Sequence, residues 1–352
     1  MGQFRRRLCR QLCRDKWAFI VLMGVAGALF APASLSAEPR RFTFEYEATI
    51  GPVGAGAGPV DVFVPLAAEN AQQRVRSEEI VASIPGAISV EDAYGNRFWH
   101  GRIENAGQDL IKVSVRTQVE RRITKSREPT ESRGLRKEGL ERFAPFLQPN
   151  RRVVVDHPIL APIRKEIRAR AGGEDPAQIA RAIYDWIVEN VEYKKVGSGW
   201  GNGDTFWACT ERYGNCTDFH ALFISLARSE GIPARFEIGF PVPEDRPSGM
   251  VGGYHCWVEF YLPETGWFPV DASEAFKHPE RKEFLYGGHP GDRIHFSTGR
   301  DLELGEGHAS GPLNYFVYPH VEVAGKLWKG SIQKSFRYEE MSAQASSASS
   351  MK

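Results

Sequence analysis

Three short segments of this sequence carry the residue types of nucleophilic acyl chemistry. The first is Tyr213-Gly214-Asn215-Cys216-Thr217-Asp218-Phe219-His220. Phe219, Leu222, Phe223 and Leu226 follow at the i, i+3, i+4, i+7 spacing of an amphipathic helix, so Cys216 stands at its start. A helix N-terminus offers unpaired N–H groups and the positive end of the dipole, and both favour a thiolate, the attacking form of cysteine. The second segment, Gly253-Tyr254-His255-Cys256-Trp257-Val258-Glu259-Phe260, alternates like a strand. It puts His255, Trp257 and Glu259 on one face and Cys256 and Val258 on the other, so His255 is expected to share a cleft with Cys216 and Cys256 is not. The third, Gly266-Trp267-Phe268-Pro269-Val270-Asp271, reads as the return strand of a hairpin turning at Pro263-Glu264-Thr265-Gly266, which brings Asp271 beside His255. An aspartate there accepts the imidazole N–H, fixes the tautomer and supports the cationic ring. Cys216, His255 and Asp271 thus read as nucleophile, base and orienter.

The elements that must position this trio are legible around it. Ile159, Ile163 and Ile167 fall four apart and predict one helix; Asp175-Pro176 opens a second, striped by Ile179, Ile183, Trp186 and Ile187. Lys194 to Asp204 is a glycine-rich loop. The helix from Cys216 ends at Gly231 and Pro233. Strands are expected at 234–240, 254–262 and 267–270, with further ones near Phe296, Leu302 and 315–323. Ahead of all this, alternation in Phe42, Phe44, Tyr46 and in Val60, Val62, Val64 predicts a small antiparallel β-domain. Residues 116–152 hold eleven Lys/Arg against five acids and read as a solvated linker. The expected organisation is 1–37 signal peptide, 38–125 N-terminal β-domain, 126–155 basic linker, 156–338 catalytic domain with trailing β-strands, and 339–352 disordered tail.

The signal-peptide reading rests on six Lys/Arg ahead of a 14-residue apolar run, Trp17 to Phe30, followed by small residues. That run is short for a bilayer helix, so no integral span is expected after cleavage, and the protein is expected to be periplasmic or secreted. Without residues 1–37 the remaining chain has 39 basic and 43 acidic residues, a net of −4, which argues against nucleic acid as a partner. Export leaves three cysteines, Cys209, Cys216 and Cys256, and an odd count leaves at least one thiol unpaired. A 209–216 disulfide would silence the nucleophile; a 209–256 disulfide would brace the cleft; the sequence leaves both open, and free thiols with them.

The run Gly214-Asn215-Cys216-Thr217-Asp218, then Ala227-Arg228 and Gly231-Ile232-Pro233-Ala234-Arg235, then His255 with Trp257, then Trp267 with Val270-Asp271, resembles the transglutaminase-like superfamily. The three motifs stand 39 and 16 residues apart in the family's order and cover about residues 156–275. The resemblance implies an α+β, papain-like core: a cysteine-bearing helix against an antiparallel sheet that carries histidine and aspartate. It also implies the exported bacterial type, the roles of Cys216, His255 and Asp271, and a thioester acyl-enzyme formed on an amide. Peptidase or amidase action is expected over cross-linking, on a protein or peptide substrate such as a peptidoglycan peptide. The alternative is a catalytically idle peptide- or cell-wall-binding module using the same cleft. The family's second oxyanion donor maps to no residue here; Trp207, upstream of Cys216, reads as core. No cofactor is implied, and no Asp-x-Asp-x-Asp-Gly calcium loop is present. Cys209, Cys216, His220 and His255 are zinc-ligand types, but their spacing matches no ribbon or finger. Asp218 reads as a first-turn complement to the helix dipole, and Trp257 and Trp267 as sheet packing. The oligomeric state is not encoded in any of these features.

Overall fold

The computed structural model describes residues 38–134 and 141–341. The expected signal peptide, residues 135–140 and the last eleven residues lie outside the described residues. Strands run in chain order as β1 (Arg40–Ile50), β2 (Val60–Pro65), β3 (Gln73–Ala82), β4 (Gly86–Val90), β5 (Arg97–Ile103), β6 (Ile111–Arg121), β7 (Thr124–Lys125), β8 (Glu192–Tyr193) and β9 (Tyr213–Gly214). They continue as β10 (Ala234–Pro241), β11 (Ser248–Met250), β12 (His255–Leu262), β13 (Gly266–Val270), β14 (Gly288–His289), β15 (Arg293–Thr298), β16 (His320–Val323), β17 (Lys326–Leu327) and β18 (Ile332–Glu340). The α-helices are α1 (Ala161–Ala171), α2 (Pro176–Asn190), α3 (Thr205–Glu211), α4 (Cys216–Ser229), α5 (Ala272–Lys277) and α6 (Lys282–Leu285). No helix among the described residues is long and apolar enough to cross a membrane.

The chemistry-bearing half is an α+β layer. An antiparallel sheet in the order β13-β12-β10-β15 lies against α4. The caps read from sequence are in place: Asp175 Oδ1 accepts the N–H groups of Ala177 (2.8 Å) and Gln178 (3.2 Å) at the start of α2. Ile163 and Ile167 on α1, and Ile179, Ile183 and Ile187 on α2, are buried as their spacing predicted. Every residue of α4 is buried, because α2, α3 and α5 surround it and β12 closes its remaining side.

Two five-stranded antiparallel sheets complete the molecule, in the orders β11-β18-β1-β6-β3 and β17-β16-β2-β5-β4. Their membership differs from the expected organisation. The strands expected to trail the catalytic domain instead return to the N-terminal half: β18 pairs with β1 from Phe42↔Glu340 to Ile50↔Ile332, and β16 pairs with β2 from His320↔Phe63 to Val323↔Val60. Residues 38–341 consequently sit in a single compact unit. The reason is apolar area. Phe44 and Tyr46 on β1 pack with Phe240 and Phe296 of the catalytic sheet and Phe336 of β18, at ring separations of 4.3–6.1 Å. Such an aromatic cluster leaves water only if all four strands are present together.

The described parts of the basic stretch on either side of residues 135–140 are also tied down. β6 extends to Arg121, and Glu141–Phe146 forms a 3-10 turn whose Phe143 stacks 4.3 Å from the Tyr261 ring. Arg228 of α4 donates to the Gln148 carbonyl and to Asn150 Oδ1. Charge composition concealed the few apolar anchors that hold this segment against the β12–β13 hairpin.

Candidate active site

The local sequence places Cys216 as the first residue of α4. Asn215 caps the helix: its Oδ1 accepts the Thr217 N–H at 2.9 Å, and the Asp218 carboxylate returns to the Asn215 N–H at 3.0 Å. Asp218 does more than complement the dipole. Fully buried, it also accepts the N–H groups of Gly201 (2.7 Å) and Gly203 (3.0 Å), so one carboxylate pins the glycine-rich loop to the helix that Cys216 begins. Burial raises its pKa despite those three bonds. A side chain at position 214 would collide with this carboxylate, which is why the residue two before the cysteine is glycine. As the first helical residue, Cys216 has an N–H with no intrahelical acceptor.

The β12–β13 hairpin forms in the expected register, with Val258 opposite Val270. Asp271 follows β13 directly and serves as N-cap of α5. His255, the first residue of β12, presents Nε2 to Asp271 Oδ2 at 2.7 Å. By elimination, Nδ1 is the ring atom left for Cys216. The aspartate is saturated: Oδ2 also meets Arg293 Nη2 at 2.9 Å, while Oδ1 accepts from Ser273 Oγ (3.1 Å) and the Glu274 N–H (3.0 Å). The structure therefore brings all three expected residues, Cys216, His255 and Asp271, to one buried locus.

The electrostatics follow from these contacts. The Cys256 thiol hydrogen-bonds the Cys216 sulfur; burial opposes ionisation, but the hydrogen bond and positive charge of His255 add to the first effect, and Cys216 falls to about 5. Burial works against the His255 cation too, yet the charge and hydrogen bond of Asp271, with the bond to Cys216, raise it to about 10. Burial alone would keep Asp271 protonated; His255 and Arg293 hold it well below the usual carboxylate range. At neutral pH the group is a thiolate–imidazolium pair leaning on an anchored carboxylate.

Cys256 departs from the expectation that it faces away from the nucleophile. The alternation of β12 was read correctly, since Cys256 does face α4, where His220 Nδ1 lies 3.5 Å from its sulfur. Cys216 sits above that same face, and His255 reaches it from the end of the strand. Burial, then the bond to Cys216, hold the Cys256 thiol well above its ordinary value, so it stays a donor. Cys209, Cys216 and Cys256 are all free thiols, which answers the disulfide question for this structure. Cys209 on α3 is raised to about 11 by burial. Cys209, Cys216, His220 and His255 do not gather into a metal-holding group; among the described residues only His308, His320 and Glu322 do. Trp207 is not an open oxyanion donor, because its indole N–H is spent on the Tyr213 carbonyl at 2.8 Å.

Arg293 has no counterpart in the sequence reading. It enters from β15, a strand 22 residues beyond Asp271, and lies 4.8 Å over the Trp257 ring. Trp257, expected only to pack the sheet, is the platform that aims this guanidinium at Asp271. No motif marks an arginine brought in by sheet pairing. A cleft of about 340 Å³, lined by Tyr193, Pro241, Tyr254, His255, Glu274 and Arg293, opens onto the histidine.

Comparison with known proteins bears on the fold. Residues 165–272 match the model of the transglutaminase-like superfamily. That segment, about a third of the chain, is similar to a transglutaminase-like core. An uncharacterised protein of Haemophilus influenzae is similar to nearly the whole chain, 28% identical over 347 residues that cover 86% of this chain and 90% of that one. A protein-glutamine gamma-glutamyltransferase of Pseudomonas aeruginosa is 36% identical over 77 residues, 20% of this chain and only 11% of that protein. The fold is similar to that of a candidate cysteine protease from Cytophaga hutchinsonii, with a TM-score of 0.56 at 20% identity over 88% of this chain and 93% of that one.

Proposed function

We propose that the protein is an exported cysteine enzyme that cleaves amide bonds through a thioester. The observation that carries the reading is the pairing of a helix-start thiolate with a histidine anchored 2.7 Å from Asp271. The Cys216 thiolate attacks the acyl carbon, and the developing oxyanion meets the free Cys216 N–H. Protonated His255 then gives its Nδ1 proton to the leaving amine, which departs as the thioester forms. Water enters, His255 takes its proton, and the acyl group leaves as a carboxylic acid with the thiolate restored. An amine entering instead of water would complete a transglutaminase reaction. Hydrolysis is favoured because water is always present at the thioester, whereas a second amine must first be bound. The substrate class is a protein or peptide, including a peptidoglycan peptide. Export rests on the basic start and apolar run of residues 4–30.

The test is a screen of peptide amides, glutamine amides and peptidoglycan fragments, with acid quenching and mass spectrometry of the Cys216-containing peptide. An acyl adduct on Cys216, lost in Cys216→Ala with the fold intact, is the expected result. Turnover that survives Cys216→Ala would overturn the reading. So would binding of these fragments with no covalent adduct in the wild type, which is the outcome of an idle binding module.

A further inference from the structure

We infer that His308, His320 and Glu322 form a site for a divalent cation of the zinc class, remote in sequence from the Cys216 centre. His320 and Glu322 stand two apart on β16 and share one face of that strand. His308 comes from the 303–311 loop, which is closed at its base by the Leu302–Leu313 bridge. One ligand atom from each residue lies within 4.8 Å of the others. His320 Nε2 is 2.9 Å and His308 Nε2 3.7 Å from the same atom, Glu322 Oε1. Bonds of about 2.0–2.1 Å at tetrahedral angles put ligand atoms roughly 3.3 Å apart, so these separations bracket the required value. Two imidazoles and one carboxylate are a donor set that zinc accepts.

A second observation points to a missing partner. The His308 side chain is 0% exposed, and its Nε2, directed at Glu322, makes no hydrogen bond. A buried polar atom left unpaired costs about 1–3 kcal/mol, which a bound cation would recover. The surroundings are those of a metal site. The Ala309 and Ser310 N–H groups hold the Glu322 carboxylate at 2.9 and 3.1 Å. The Phe63 ring sets both imidazoles, with centroids 5.9 Å away in each case. Metal binding needs both Nε2 lone pairs, so the proton that His320 now directs at Glu322 Oε1 shifts to its own Nδ1, and that of His308 likewise moves to Nδ1. Glu303 Oε2, 3.4 Å from that atom, is placed to accept it, and the Leu304 N–H now at 3.1 Å gives way. A cavity of about 420 Å³ reaches His320 and Ser310 and admits the water that fills the fourth position. The bound ion would tie the 303–311 loop to the sheet that joins the N- and C-terminal strands.

The experiment uses the full chain carrying Cys216→Ala, which removes the competing thiolate. The protein is stripped with a chelator and titrated with Co²⁺ and with Zn²⁺. One equivalent of Co²⁺ is expected to give the d–d bands of a tetrahedral site with no sulfur-to-cobalt charge transfer, and Zn²⁺ to raise the melting temperature. His308→Ala and Glu322→Gln should each weaken binding at least about 100-fold while keeping a cooperative melt without metal. If Glu322→Gln does not fold, His320→Ala and Glu303→Gln take its place, the latter expected to lose about 10-fold. No stoichiometric cobalt band in the stripped protein, a sulfur charge-transfer band, or equal binding by the His308→Ala variant would each overturn the inference. In that case the trio is only a hydrogen-bonded pin between β16 and the loop.

Discussion

The most informative perturbation is His255→Asn read through the ionisation of Cys216. In the wild type the cysteine falls from 9.0 to about 5, a difference of four pKa units, or on the order of 5 kcal/mol favouring the thiolate. The largest contribution is the Cys256 thiol, which exceeds the opposing burial, and the hydrogen bond and charge of His255 add to it, followed by the Cys256 backbone. Replacing the ring by an amide removes that charge and bond, so the thiol rises from about 5 but stays below its ordinary value, because the Cys256 donor remains. At pH 6 a thiol with a pKa of about 5 is roughly 90% ionised, and each unit by which the midpoint rises beyond pH 6 cuts the thiolate about ten-fold. The more basic thiolate is intrinsically more reactive, with a Brønsted slope of about 0.4–0.5, so the alkylation rate at pH 6 falls by less than the thiolate fraction does. The decisive readout is therefore the titration midpoint, followed by thiolate absorbance and by the pH profile of iodoacetamide modification. Cys209, at about 11, and Cys256, higher than its ordinary value, stay protonated through the acid limb and do not obscure it. Wild-type reactivity should rise as the pH passes through about 5 and hold until His255 deprotonates near 10, the two steps belonging to the pair. A wild-type midpoint near 9, or a low midpoint unchanged in His255→Asn, would refute the ion-pair argument.

Cys256→Ala removes the donor that contributes most to the thiolate, so the Cys216 midpoint should rise while His255 stays bound to Asp271; an unmoved midpoint would mean the two sulfurs do not interact. Arg293→Gln takes away one of two donors on Asp271 Oδ2 in a fully buried setting, with an expected cost of about 3–5 kcal/mol, measured by chemical denaturation. Asp218→Ala frees three backbone N–H groups at once and should cost roughly 2–4 kcal/mol and expose the 197–204 loop to protease, whereas Asn215→Ala should cost about 1 kcal/mol in melting experiments. Truncation after Gly330 deletes β18, the partner of β1 along nine residues, and should abolish the cooperative melt of the whole molecule; survival of a folded catalytic half would restore the two-domain view.

What the sequence determined by itself lies within reach of local rules. The cap at Asn215, the stripe of α4 and the hairpin between β12 and β13 are set by neighbours a few residues apart, and they suffice to put Cys216, His255 and Asp271 in order. The α+β core was legible for the same reason. Tertiary structure decided what depends on partners far along the chain. Strand alternation says that His255 and Cys256 point apart, but not above which face the nucleophile hovers, and that is fixed by where α4 packs on the sheet. Arg293 becomes the second anchor of Asp271 only because β15 pairs with β10. β16 and β18 join the N-terminal strands because the apolar faces around Phe44, Tyr46 and Val62 need cover, and nothing local to residues 320–340 names those partners. His308 meets His320 and Glu322 by the same non-local route. Periodicity and caps are written in adjacent residues; edge pairing and the burial of faces are settled by competition across the whole chain, so their products, including the finer electrostatics of the site, appear only once it has folded.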